Sequence, residues 1–232
     1  MPIQVARRPP KQLDLPLPRT WGGRRAGAGR KAGPGRRAVA HRTRPAHRTA
    51  HPVHVTLRAR AGLPPLRDRA LFPEMRAAVR SASRSPAVGS GFRVVHFSVQ
   101  DDHVHLIVEA HDADHLGRGV QGLAIRLARA INRVLSAAGK VWGDRYHARD
   151  LRTPREVRTA IVYVLMNAKK HLRRPAKDWV DELSSAPWFD GFRLGAVVPS
   201  PFDESPVVAP RTWLGATGWR RCGLVRVDEA PA

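Results

Sequence analysis

A chain of 232 residues, 42% of them hydrophobic, is long enough for one core domain with tails or for two small domains. Its 41 Lys and Arg against 19 Asp and Glu give a formal net charge of +22, which concentrates polyanions around the protein and makes nucleic acid the expected partner. There is no apolar run of membrane-spanning length and no apolar N-terminal leader, and a single cysteine, Cys222, excludes an internal disulfide or a multi-cysteine zinc site. The expectation is a soluble intracellular protein with no membrane partner.

Residues 1–50 carry thirteen Lys or Arg and one acid, Asp14, among many Gly, Pro and Ala. Such a segment cannot bury enough apolar surface to offset chain entropy, so it reads as a disordered basic arm. Within it Arg24, Arg25, Arg30 and Lys31 alternate with glycines, a pattern suited to phosphate contact or to Arg insertion into a minor groove, and equally to a solvated charge run.

Periodic apolar segments begin after His51. Alternation and β-branched residues predict a strand over Val53 to Ala59, and Pro73 opens a helix reaching Ser83. Phe92 to Gln100 reads as a second strand, which Asp101-Asp102 turns into a third, His103 to Ala110. From Ala113 to Ala138, Leu116, Val120, Leu123, Leu127, Ile131 and Leu135 recur at helical spacing, with Gly139 as the stop. Tyr146 to Leu151 suits a fourth strand. Thr153-Pro154 then caps a last helix running to about Leu172. The first six elements make a split βαβ order, which predicts an α+β, ferredoxin-like antiparallel sheet with helices on one face, followed by a C-terminal helix. We divide the chain into an arm (1–50), a core domain (51–174) and a Pro- and Trp-rich extension (175–232) that either wraps or docks on the core, with no readable function.

Alternation along the third strand sends Val104, Leu106 and Val108 to one face and His103, His105, Ile107 and Glu109 to the other. Two imidazoles two residues apart on a strand, roughly 7 Å at their backbones, can converge on one metal ion, although a partly exposed sheet face accounts for the pair as well. On the last helix Ile161, Leu165, Ala168 and Leu172 form an apolar stripe, and Tyr163 and Asn167 stand four apart beside it. That places a nucleophile next to a neutral oxygen ligand, or else a core aromatic whose hydroxyl reaches the surface.

His103-Val104-His105 resembles the His-hydrophobic-His signature of HUH nucleases, and Tyr163-Val-Leu-Met-Asn167 resembles the catalytic helix of single-tyrosine transposases of the REP-associated, IS200-like kind. His54-Val55-Thr56-Leu57-Arg58, Gly62-Leu63-Pro64 and Trp142-Gly143-Asp144-Arg145-Tyr146 are similar to the same family, over roughly residues 50–172. The resemblance implies a metal-dependent endonuclease and strand transferase acting on single-stranded DNA with hairpin or palindromic ends. Tyr163 would be the nucleophile, and His103, His105 and Asn167 the ligands of Mg²⁺ or Mn²⁺. It implies a 5′-phosphotyrosine intermediate, a monomer or a homodimer, and a cytoplasmic location on the nucleoid. Ala168-Lys169-Lys170 departs from the Asn-Pro step common in relatives. Lys169 and Lys170 suit a phosphate contact there, or a solvated cationic helix end.

Two other readings compete. His54-Val55-Thr56-Leu57 and His96-Phe97-Ser98-Val99 resemble the paired motifs of metal-independent 2H RNA phosphoesterases, with His54 and His96 as acid and base. A non-catalytic nucleic-acid-binding descendant is the other.

Overall fold

Four strands pair as one sheet in the computed structural model, which describes residues 47–84, 91–170, 179–193, 204–229 and 231. They are β1 (Val53–Arg58), β2 (Phe92–Val99), β3 (His103–Ala110) and β4 (His147–Asp150), ordered β2-β3-β1-β4 with every pairing antiparallel. With α1 (Phe72–Ser83) and α2 (Ala113–Val134) as the crossovers, this is the ferredoxin-like arrangement that the element order predicts. α3 (Pro154–Met166) follows β4, and a 3-10 turn, Asn167–Lys170, continues it.

Each face of the sheet has its own core. Val53, Val55 and Leu57 of β1, Val94 and Phe97 of β2 and Val104, Leu106 and Val108 of β3 pack under Met75 and Val79 of α1 and Leu123, Leu127 and Ile131 of α2. Gly119 lets α2 lie on β2, because a Cβ there would fall 2.2 Å from the Phe92 ring. The opposite face is covered by α3, whose Val157, Ile161 and Leu165 join Ile107 of β3 in the second core.

Several boundaries differ from expectation, most by a single residue. α2 stops at Val134 rather than Ala138, because Ser136 turns to a φ of 49° and the Asn132 amide closes the turn onto the Gly139 carbonyl at 3.0 Å. β4 begins at His147 rather than Tyr146. α3 tightens to a 3-10 turn at Asn167, and Leu172 lies outside the described residues.

The extension packs on the core where it is described. Trp219 is 1% exposed and Val225 fully buried against α3. Arg67 forks onto Asp181 at 2.9 and 2.6 Å, and Arg158 onto Glu229 at 2.7 and 2.9 Å. Glu109, buried at the far end of β3, accepts from the backbone of Arg211 and Thr212 and from the Thr212 hydroxyl, so its charge is fully hydrogen-bonded. At the other terminus, His47 Nε2 meets the Ala110 carbonyl at 2.9 Å and the Thr49 hydroxyl donates to the His111 carbonyl, so residues 47–50 belong with the core rather than with the arm. Arg24, Arg25, Arg30 and Lys31 lie outside the described residues.

Candidate active site

The β2–β3 hairpin closes with the Gln100 N–H donating to the His103 carbonyl at 2.8 Å, which sets Asp102 immediately before His103. β1 then pairs with β3 so that Arg58 faces His103, Thr56 faces His105 and His54 faces Ile107. The period of two puts all six side chains on the face that α3 covers. The register therefore brings His54 and Thr56 to the histidine pair, with α3 above them.

His103 Nε2 and His105 Nε2 lie 2.8 Å apart. The Asp102 carboxylate, an acceptor only, is 2.5 Å from His103 Nδ1, so that nitrogen carries a proton and, in the neutral ring, Nε2 presents the lone pair. On His105 the other nitrogen, Nδ1, is 3.2 Å from both the Thr56 hydroxyl and His54 Nε2. Two imidazole nitrogens so close need a shared proton or a cation to hold them. The two imidazoles could therefore hold a divalent metal between them.

Burial drives His105 down to about 3, assisted by the neighbouring His103 and His54. Burial likewise takes His54 down to about 4, with His147 and Arg149 of β4 adding to the effect. Both rings are neutral at pH 7, the form that ligates a metal. Burial alone would raise Asp102, but hydrogen bonds from His103 and Arg58 hold it below the usual carboxylate range. His105 is only 4% exposed, so the partly exposed sheet face offered as the alternative account of the pair does not describe it; α3 and the segments around it cover that side.

Tyr163 is the one partly exposed residue between Ala160 and Ala168. Its ring stands edge-on to His105, with centroids 5.0 Å apart, and to His54 at 5.8 Å. Asn167, one turn further on, is buried at the start of the 3-10 turn. The Lys169 ammonium donates to the Val227 carbonyl, so it ties the extension to this helix end; the Lys170 backbone closes the 3-10 turn. Tyr146 belongs with the α1–α2 core on the other face.

His54 and His96 flank Ile107 from the two neighbouring strands, roughly 9.5 Å apart by strand spacing, and the Ile107 side chain fills the gap. Phe189 stands edge-on over His96, with ring centroids 5.3 Å apart, and burial takes His96 down to about 4. That arrangement offers no cleft between the two imidazoles.

A second cluster lies just past the opposite end of β3, about eight residues or roughly 27 Å from His103. There His111, Asp112 and His115 place three possible ligand atoms within 4.8 Å of one another, enough to hold a metal ion. The same carboxylate caps α2, accepting from the His115 N–H at 2.8 Å and pairing with its ring at 2.8 Å, and these bonds hold Asp112 far below the usual range. Sequence reasoning passed over this group, although its three-residue spacing across a helix start is visible in the chain. It also missed His54, Thr56 and Asp102 as parts of the histidine site.

No curated protein matches the chain. Among solved structures, one described as a REP-associated tyrosine transposase bound to a REP hairpin is 16% identical with a TM-score of 0.49, covering 63% of this chain and 82% of that one. Residues 61–165, the segment that carries His103, His105 and Tyr163, match the family model described as "Transposase IS200 like".

Proposed function

We propose that the protein is a single-tyrosine HUH endonuclease and strand transferase acting on single-stranded DNA with hairpin or palindromic ends. The observation that carries this reading is the convergence of the His103 and His105 Nε2 atoms beside the ring of Tyr163. His103, His105 and Asn167 would hold a divalent cation, Mg²⁺ or Mn²⁺, which would supply Lewis-acid polarisation of the scissile phosphate. Two imidazoles and an amide are a modest donor set for such a cation, so its affinity for the protein would rise with DNA present.

Tyr163 Oη attacks phosphorus, and the bond from phosphorus to the 3′ oxygen breaks. The tyrosine proton is balanced by the proton gained on the departing 3′-hydroxyl, leaving the 5′ phosphate on Tyr163. Attack by another 3′-hydroxyl reverses the step and joins strands. Burial of Val162, Val164 and Leu165 around the partly exposed Tyr163 fixes the helix, which favours a positioned nucleophile over a mobile one. Tyr163 and His105 meet within one chain, which supports a monomer as the active unit. The net charge of +22 supports a polyanionic substrate, with the arm residues Arg24, Arg25, Arg30 and Lys31 as phosphate contacts. Among the described residues no helix is long and apolar enough to cross a membrane.

The test is an oligonucleotide carrying a hairpin and a single-stranded flank, incubated with Mn²⁺. Cutting in the flank, none of a blunt duplex and loss with EDTA are expected. Undiminished cutting in EDTA would return the histidines at 54 and 96 to consideration.

A further inference from the structure

We infer that Asp102 and the pair Thr56–His54 are positioning residues that select which nitrogen of each site imidazole faces the metal. The inference rests on the metal-site reading above, and deepens it by assigning the far side of both rings.

The two histidines are held in different ways. His103 has one partner on Nδ1, the Asp102 carboxylate at 2.5 Å, and a carboxylate can only accept. In the neutral ring, that bond puts the proton on Nδ1 and the lone pair on Nε2, the atom that faces His105. Arg58 in turn pairs with the other Asp102 oxygen, so the carboxylate cannot swing away without breaking a second bond. The register of β1 against β3 opposes Arg58 to His103, which makes the three groups one cross-strand unit.

His105 faces two groups that can each give or take a proton. Against the lone pair of a neutral His103, His105 Nε2 in the absence of metal is the donor across the 2.8 Å separation. Its Nδ1 then accepts, from the Thr56 hydroxyl or from His54 Nε2, both at 3.2 Å. When a cation takes the place of that proton, the lone pair is needed on Nε2 and the proton on Nδ1, so the hydroxyl or His54 must become the acceptor. A hydroxyl can reverse its role by rotation and an imidazole by changing tautomer, whereas a carboxylate there could not have served the metal-free state. The placement of an acceptor-only group behind one ligand and reversible groups behind the other is what allows the two rings to stay together without metal and still open to it. His54 also stands edge-on to Tyr163 at 5.8 Å between centroids, which links the orientation of His105 to the nucleophile's ring.

The experiment titrates Mn²⁺, followed by electron paramagnetic resonance, into full-length protein carrying Tyr163→Phe, with the hairpin oligonucleotide present and uncut. Into that background are placed Asp102→Asn, Asp102→Glu, Thr56→Val and the double variant Thr56→Val with His54→Phe; circular dichroism confirms folding of each. Asp102→Asn is expected to weaken Mn²⁺ binding by about 10- to 100-fold, the range for loss of a partner behind a metal-bound histidine. Asp102→Glu should recover part of that loss. Thr56→Val should cost little because His54 remains, and the double variant should fall as far as Asp102→Asn. Because Asp102 is exposed, its variants test the idea even if the double variant fails to fold. If the Asp102 variants bind Mn²⁺ as the parent does, while His103→Ala abolishes binding, the positioning roles are wrong and the metal site stands. If the parent itself binds no Mn²⁺ with the oligonucleotide present, both readings fall.

Discussion

Replacing His96 by Leu separates the proposed chemistry from its metal-independent rival and has a calculable effect on stability. His96 lies wholly inside the second core, edge-on to Phe189, and its Nδ1 has no hydrogen-bond partner among the described residues. Burial takes its pKa from 6.5 down to about 4 in the folded protein. Below pH 6.5 the unfolded chain binds a proton that the folded chain refuses, so stability falls as pH falls and stops falling near pH 4. Each pH unit in that window is worth about 1.4 kcal/mol, so the penalty at pH 5 is about 2 kcal/mol relative to pH 8. Leu fills a similar volume, carries no proton and removes the unpartnered nitrogen. Urea unfolding of both proteins at pH 8 and pH 5 should show the variant gaining about 2 kcal/mol on the wild type between the two conditions, while nicking of the hairpin substrate at pH 8 is retained. Parallel pH dependences would mean that His96 is not held neutral by burial. Loss of cleavage in a folded variant would move the chemistry towards His54 and His96.

Other outcomes follow from the same structure. Arg67→Ala strands the Asp181 carboxylate, 1% exposed, without its bidentate partner, and should cost about 3 kcal/mol in urea unfolding, whereas Arg67→Met with Asp181→Leu should recover most of it. His103→Ala and His105→Ala should each abolish Mn²⁺-dependent nicking, but only His105→Ala, under α3, should also lower stability, by about 2 kcal/mol; equal stability losses would contradict the burial difference. Deleting residues 1–46 should flatten the salt dependence of single-strand binding, the log–log slope changing by about 0.7 for each phosphate that the arm no longer neutralises, and an unchanged slope would remove the arm from the interface.

The order of elements was readable because β1 alternates cleanly, the Asp101-Asp102 turn divides β2 from β3, and α2 keeps one apolar stripe from Leu116 to Ile131. β3 was readable to the residue, its ends marked by the Asp pair and by the polar His111-Asp112 step. The partners of the histidine pair were not, because Thr56 meets His105 only through the β1–β3 register, and a one-residue slip would have pointed His54 and Thr56 into the other core. α3 showed one apolar face in the sequence, yet Val162 and Met166 are buried as well, since the Trp219 segment covers the side that an isolated core would leave to solvent. Lys169 could not be told from a phosphate-binding cation because its partner, the Val227 carbonyl, is 58 residues away and is a backbone group that no composition reveals. The burial of His105 escaped for the same reason as that of His96: both depend on what packs over a sheet face.

The central claim is that Tyr163 forms a covalent bond to DNA, and the most direct measurement is the mass of the labelled peptide. Wild-type protein, Mn²⁺ and a hairpin oligonucleotide labelled on its downstream fragment should give a denaturation-resistant adduct that maps to Tyr163. Tyr163→Phe, which keeps the ring against His105, should remain folded and give neither adduct nor nick. Tyr146→Phe, altered on the opposite face of the sheet, should still form the adduct. An adduct on Tyr146 would overturn the site, and metal-dependent cutting with no adduct on any residue would mean that water is the nucleophile and that strand joining is lost with it.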